Sequence, residues 1–237
     1  MVANHAERFL TAYNRIEKYL KVQVHDKREL GFSRMVRMLS KSNAVLKQYQ
    51  DDLLEFAQLR NAIVHNRVDT TYVIAEPHLS IVEQIERIER ALTKPKQVIP
   101  FFAKKVVQFQ QNDSLAIALE QIKGNGISTF PIYHGIRFIG ILSEKGIAHW
   151  MAKNMNNSIA SIRDASLGNV LACQGNHNYA FIQRSTSIYD AQEIFKDQIG
   201  QGYRLDALLI TDSGDSTEKL LGMITPRDII DIPLLWK

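Results

Sequence analysis

Two stretches of this chain are copies of one another: FIGILSEKGI at 138–147 and LLGMITPRDI at 220–229. The patterns around them repeat in the same order. The first copy runs VVQFQ, SLAIALEQIKGNG, STFPIY, RFIGILS and KGIAHWMAK, so short apolar runs alternate with helical spacing. The second runs YAFIQ, SIYDAQEIFKDQIGQG, DALLITD, LLGMIT and PRDIIDI. Leu115 and Ala118 of one helix answer Ile188 and Ala191 of the other. A repeat of this kind dictates two β-α-β-β-α units, expected at residues 95–155 and 156–237. The first hairpin turns on His134-Gly135, the second on the longer polar loop DSGDSTEK.

Residues 1–94 follow a different rule. Phe9, Tyr13, Ile16 and Leu20 recur at helical spacing, as do the apolar residues of MVRMLSKSNAVLKQY and DDLLEFAQLRNAIVH. HLSIVEQIERIERALTK adds a fourth run, in which Ser80 and Glu83 read as a capping box and Ile81, Ile85, Ile88 and Leu92 form one face. Lys94 and Pro95 end it, and KPKQVIPFF reads as a linker. The predicted fold class is α+β: a bundle of four helices followed by the β-α-β-β-α pair.

With 237 residues, 45% of them hydrophobic and 23% charged, the chain is long enough for such cores. Its net charge of +4 is compatible with phosphate-bearing partners without being diagnostic of them. The single cysteine, Cys173, rules out an intrachain disulfide and a cysteine-built zinc cage, which fits a reducing, cytoplasmic compartment. MVANHAERFL lacks the apolar core of a signal peptide, and no stretch approaches the ~20 apolar residues of a membrane span. The sequence shows no glycine-rich phosphate loop, Ser-His-Asp set or paired cysteines. His5, His25, His78, His134, His149 and His177 have no metal-ligand spacing, so no metal site is expected and they read as surface or packing residues. Trp150 and Trp236 follow the two copied segments at similar places and are expected to pack between the repeats.

LLGMITPRDII is the stretch richest in chemistry. Gly222 lets a strand come close to a neighbour or a ligand. Thr225 ends the strand and is placed to cap the next helix, where free N–H groups favour an anion. Its hydroxyl and Arg227 suit a phosphate, while the acceptor-only carboxylate of Asp228 suits the two hydroxyls of a ribose. Thr-Pro-Arg-Asp is equally an ordinary helix start, with a cap, a first-turn proline and a first-turn acid. The first copy departs from this pattern. It keeps Gly140, Ser143 and Lys145, which suit a phosphate, but Gly146 replaces the acid.

The repeat and its LLGMITPRDII segment resemble a tandem pair of CBS (cystathionine β-synthase) domains, a Bateman module, over about residues 96–237. The resemblance implies an adenosyl ligand such as AMP, ADP, ATP, S-adenosylmethionine or a cyclic dinucleotide. It places adenine on the main chain of Ala180, Phe181, Ile182, Leu205, Asp206 and Ala207. One good site per chain is expected.

Arg60-Asn61-Ala-Ile-Val-His65, at the end of the third helical run, resembles the motif of HEPN domains. Some of these are metal-independent endoribonucleases that pair two motifs across a dimer. The resemblance implies His65 as general acid or base, Asn61 one turn away orienting it, and Arg60 stabilising phosphate charge. Basic residues also suit a helix C-terminus for electrostatic reasons alone, and such bundles also serve as dimerisation or binding modules. The combined expectation is an adenine-nucleotide-sensing regulatory homodimer. Its helical part cleaves RNA, binds a partner or only dimerises.

Overall fold

The chain, described by a computed structural model over residues 4–24, 30–65, 76–155, 158–174 and 178–230, divides into two compact units, Met1–Lys96 and Gln97–Lys237. Among the described residues no helix is long and apolar enough to cross a membrane.

The first unit contains α1 (His5–Gln23), α2 (Phe32–Leu39), α3 (Ala44–Gln48), α4 (Gln50–His65) and α5 (Leu79–Thr93). The expected four helices are thus five among the described residues. The run around 35–49 breaks because the Asn43 side chain accepts a hydrogen bond from Leu46 N–H at 3.0 Å and starts a new helix. The predicted capping box at Ser80 is also corrected. His78 caps α5, with its Nδ1 accepting from Ser80 N–H at 3.3 Å, so Ser80 already lies inside the helix. Phe9, Tyr13, Ile16 and Leu20 are buried as their spacing requires. Phe9 meets Phe56 of α4 edge-on at 5.7 Å, and Tyr13 stacks on Phe32 of α2 at 4.3 Å. A bidentate pair joins α1 to α5: Arg8 Nε and Nη2 each donate to a Glu86 carboxylate oxygen at 2.9 Å.

The second unit holds α6 (Val98–Phe101), β1 (Phe109–Gln110), α7 (Leu115–Asn125), β2 (Thr129–His134), β3 (Arg137–Ser143) and α8 (Glu144–Lys153). After these come α9 (Ile159–Arg163), α10 (Leu167–Leu171), β4 (Tyr179–Gln183), α11 (Ile188–Gly200), β5 (Ala207–Thr211), β6 (Gly222–Ile224) and α12 (Pro226–Ile230). Each copy makes one three-stranded sheet, β1-β2-β3 or β4-β5-β6, with the first pair parallel and the second antiparallel. Leu115, Ala118, Ile188 and Ala191 are fully buried in corresponding places. VVQFQ pairs only at Phe109 and Gln110, a shorter strand than predicted.

Both faces of β5 are buried. Leu208 and Ile210 face a core with Ile188, Ala191 and Ile224, whereas Ala207 and Leu209 face a core shared between the sheets with Ile141 and Met223. Phe138 closes that shared core, edge-on to Tyr179 at 5.0 Å and to Phe181 at 5.1 Å. Trp150 is buried in the first copy's own core beside Val170 and Leu171, a correction to its predicted place between repeats. Trp236 lies outside the described residues.

The cores are not closed within each copy. Val98 and Phe102, which precede the first copy, are buried in the core of the second. Leu167, Val170 and Leu171, which precede the second copy, are buried in the core of the first. α9 and α10 carry this exchange and were not predicted. The two glycines of the repeat make room for the crossing segments. A Cβ at Gly222 would run into the Phe102 carbonyl oxygen, and one at Gly140 would lie 3.1 Å from Leu171 Cδ2.

Two expectations follow for thermal unfolding of the full chain. Gly222→Ala forces main chain apart and lowers stability by about 1–3 kcal/mol, whereas Gly124→Ala, in open space on α7, raises it by up to about 1 kcal/mol. Equal effects at the two positions would contradict this packing. The hydrogen bonds from Arg8 hold the Glu86 carboxyl below its ordinary value of 4.5. Its contribution is therefore fully present above that pH and is lost as pH falls through the lower folded value. Glu86→Gln lowers Tm at pH 7, and the gap from the parent protein closes in acid.

Candidate functional site

The strand register assembles one edge of the second sheet. Leu208 pairs with Ile224, and Tyr179 pairs with Ala207. Thr225, one residue beyond Ile224, therefore stands across from Ala207, near the starts of β4 and β5. Asp228 reaches back to it: its Oδ2 accepts from Thr225 N–H and from Thr225 Oγ1, both at 2.7 Å. Its Oδ1 lies 3.5 Å from Lys104 Nζ. Both Thr225 and Asp228 are half-buried, and Arg227 is exposed. The carboxylate is thus fixed by its own helix start and faces one ammonium, which sequence reasoning missed because Lys104 lies 124 positions away.

The other predicted ligand residues divide between cores. Ile182 and Leu205 are buried in the second copy's core, with Ala180 packed partly against it. Phe181 and Ala207 belong to the core between the sheets. Their side chains are engaged in packing, so what they can present at this edge is main chain. Asp206 does not join Thr225 and Asp228. Its carboxylate accepts from Arg204 Nε at 3.1 Å and from Asn178 Nδ2 at 3.0 Å.

Asp206 instead lines a cavity of about 400 Å³ with Ser143, Lys145, Gly146, Gln174 and Asn178, at the corresponding place in the first copy. His149, an exposed residue, also lines it. Ser143 caps α8, accepting from Gly146 N–H at 3.3 Å. The N–H of Ser143 itself donates to Gln174 Oε1 at 3.2 Å, and Gln174 Nε2 donates to the Ile141 carbonyl at 2.9 Å. A Cβ at Gly146 would run into this amide. Asn178 is buried, and its Oδ1 has no hydrogen-bond partner among the described residues. Gln174 precedes the second copy in sequence and gave no motif signal. Its role follows from the exchange of segments.

In the helical unit, α4 carries Arg60, Asn61 and His65 in its last turns. The Arg60 guanidinium lies 6.0 Å from the centre of the Tyr13 ring, and its Nη1 donates to Asn61 Oδ1 at 3.4 Å. Burial raises the Tyr13 hydroxyl above its ordinary range, with Glu17 adding to the shift and Arg60 opposing it. The His65 side chain lies outside the described residues, as do Arg67, His25 and His177.

Comparison with known proteins bears on the second unit. The CBS domain family matches residues 99–153 and 175–234. Among solved structures, a protein with CBS domains from Burkholderia ambifaria MC40-6 has 16% identity and a TM-score of 0.43, covering 56% of this chain and 85% of that one. CBSX2, solved in complex with AMP, has 15% identity and a TM-score of 0.44, with 60% and 98% covered. The CBS-domain pair of MJ0100, solved with 5′-methylthioadenosine and S-adenosyl-L-methionine, has 14% identity and a TM-score of 0.44, with 60% and 99% covered. No curated protein matches the chain. Residues 99–153 and 175–234 are thus a tandem pair of CBS domains, the family whose model they match.

Proposed function

We propose that the CBS pair binds an adenosyl ligand at Thr225, Arg227 and Asp228 and that its occupancy sets the state of the helical unit. The observation that carries this reading is the anchored carboxylate of Asp228, held at 2.7 Å by Thr225 at an edge where Ala180, Phe181, Ile182, Leu205 and Ala207 have their side chains in the cores. A carboxylate offers about four acceptor positions. Two are occupied by Thr225 and one faces Lys104. A ribose diol asks for two. The exposed Lys104 contact, the longest of the three, is the one that yields, and its ammonium is then available to a phosphate.

Lys104 also supplies the route to the helical unit. α5 ends at Thr93, and Val98 is already fully buried in the second copy's core. Ala103 then bridges to Gly222, and Lys104 reaches Asp228. The chain that follows α5 thus passes the Asp228 carboxylate within about a dozen residues. Coupling requires that the ligand bind one arrangement of this segment better than another.

Calorimetry of the full chain against AMP, ADP, ATP, S-adenosylmethionine and a cyclic dinucleotide tests the reading. At least one is expected to bind, and Asp228→Ala is expected to weaken it at least about tenfold through loss of a charged hydrogen-bond partner. Unchanged affinity in that variant would move the site elsewhere. Lys104→Ala is expected to weaken AMP more than adenosine. An equal loss for both would remove Lys104 from phosphate recognition.

A further inference from the structure

The two half-sites differ at one backbone group. At the start of α12, the N–H of Thr225 is answered from within the motif by Asp228 Oδ2 at 2.7 Å. At the start of α8, the corresponding N–H of Ser143 is answered by Gln174 Oε1 at 3.2 Å, from 31 positions away. Gly146 stands where the acid would be, and the Gln174 amide lies so close over its Cα that a Cβ has no room. The same amide donates to the Ile141 carbonyl at 2.9 Å. It therefore bonds to Ser143 N–H and Ile141 C=O as the main chain of a further strand would, and it is fixed at both ends.

We infer that Gln174 closes the first half-site to ribosyl ligands, so that the CBS pair holds one nucleotide per chain. Its amide occupies the position from which a motif carboxylate would reach a ribose diol. Both of its hydrogen-bonding groups are engaged with main chain. The ~400 Å³ cavity beside it is lined by Asn178 and Asp206, and the Asp206 carboxylate, which accepts from Asn178 and Arg204, lies outside the motif. Gly146 and Gln174 thus act as a pair. The glycine omits the acid and admits the amide, and the amide satisfies the N–H that the acid would have satisfied. This rests on the reading that an adenosyl ligand uses the second half-site.

Two measurements on the full chain decide it. The first is calorimetric stoichiometry with AMP and with ATP as probes. One nucleotide per chain is expected for the parent protein, one bound at least about tenfold more weakly for Asp228→Ala, and two for Gly146→Asp combined with Gln174→Ala. Two per chain in the parent, or one in the combined variant, overturns the inference. The second uses no nucleotide. Alone, Gly146→Ala must expel the amide, whereas in a Gln174→Ala background it only gains helix propensity. The Tm of the double variant should exceed the sum of the single effects by about 2–4 °C. Additive shifts overturn the inference. If the parent protein binds neither probe, the adenosyl reading fails, and the Tm cycle alone decides whether Gln174 fills the half-site.

Discussion

Everything in the second unit depends on an exchange of leading segments. Residues 97–104 precede the first copy and complete the second; residues 158–174 precede the second and complete the first. Val98 is fully buried across this divide, an interaction worth roughly 1.5–3 kcal/mol. Leu167 and Val170 are fully buried on the opposite crossing. The bridges Gln97–Ser187 and Ser114–Ser166 fasten each segment beside a helix whose N-cap is a serine, Ser187 or Ser114. A chain cut between the copies would leave both cores open. The two repeats fold as one body because neither sequence carries a complete core of its own.

The same exchange builds the half-sites. One crossing segment delivers Lys104 to Asp228, and the other delivers Gln174 to Ser143. Each strand-to-helix junction therefore receives one side chain from outside its own copy. An ammonium at the first of these junctions opposes a carboxylate and can exchange it for a ligand's charge. An amide at the second pairs with main chain on both sides. The two copies share a backbone and, on the proposed reading, differ in whether the imported group competes with a ligand or replaces one.

What was legible in the sequence was what is local. Short apolar runs located β2 through β6 to within a residue or two at most ends, and Leu115, Ala118, Ile188 and Ala191 were legible as core because a repeat doubles each signal. Three local readings failed for identifiable reasons. Asn43 offered its side chain to a backbone N–H and broke a run that looked continuous. His78 competed successfully with Ser80 for the cap, because an imidazole nitrogen accepts as well as a hydroxyl does. In VVQFQ the alternation is real: Val106 faces the core between the sheets and Val107 the first copy's own core. Alternation reports which face a side chain takes, not whether the main chain has a partner, and here pairing begins only at Phe109.

The site was legible in the same measure. Thr225 and Asp228 were visible because they stand three positions apart at a helix start. The motif also explains the limit, since it satisfies its own backbone N–H whether or not a ligand is present. Hydrogen bonds of that kind establish a helix, and they become a ligand site only when something else leaves the carboxylate with a group it can exchange. In the proposed site Lys104 is that group, and no spacing rule connects it to Asp228. The first copy makes the converse case. Its motif lost the acid, the N–H still required an acceptor, and the crossing segment supplied one in Gln174. The unmet N–H of Ser143 is the physical demand that a reading of 138–147 alone contained, and where its answer came from was decided by topology.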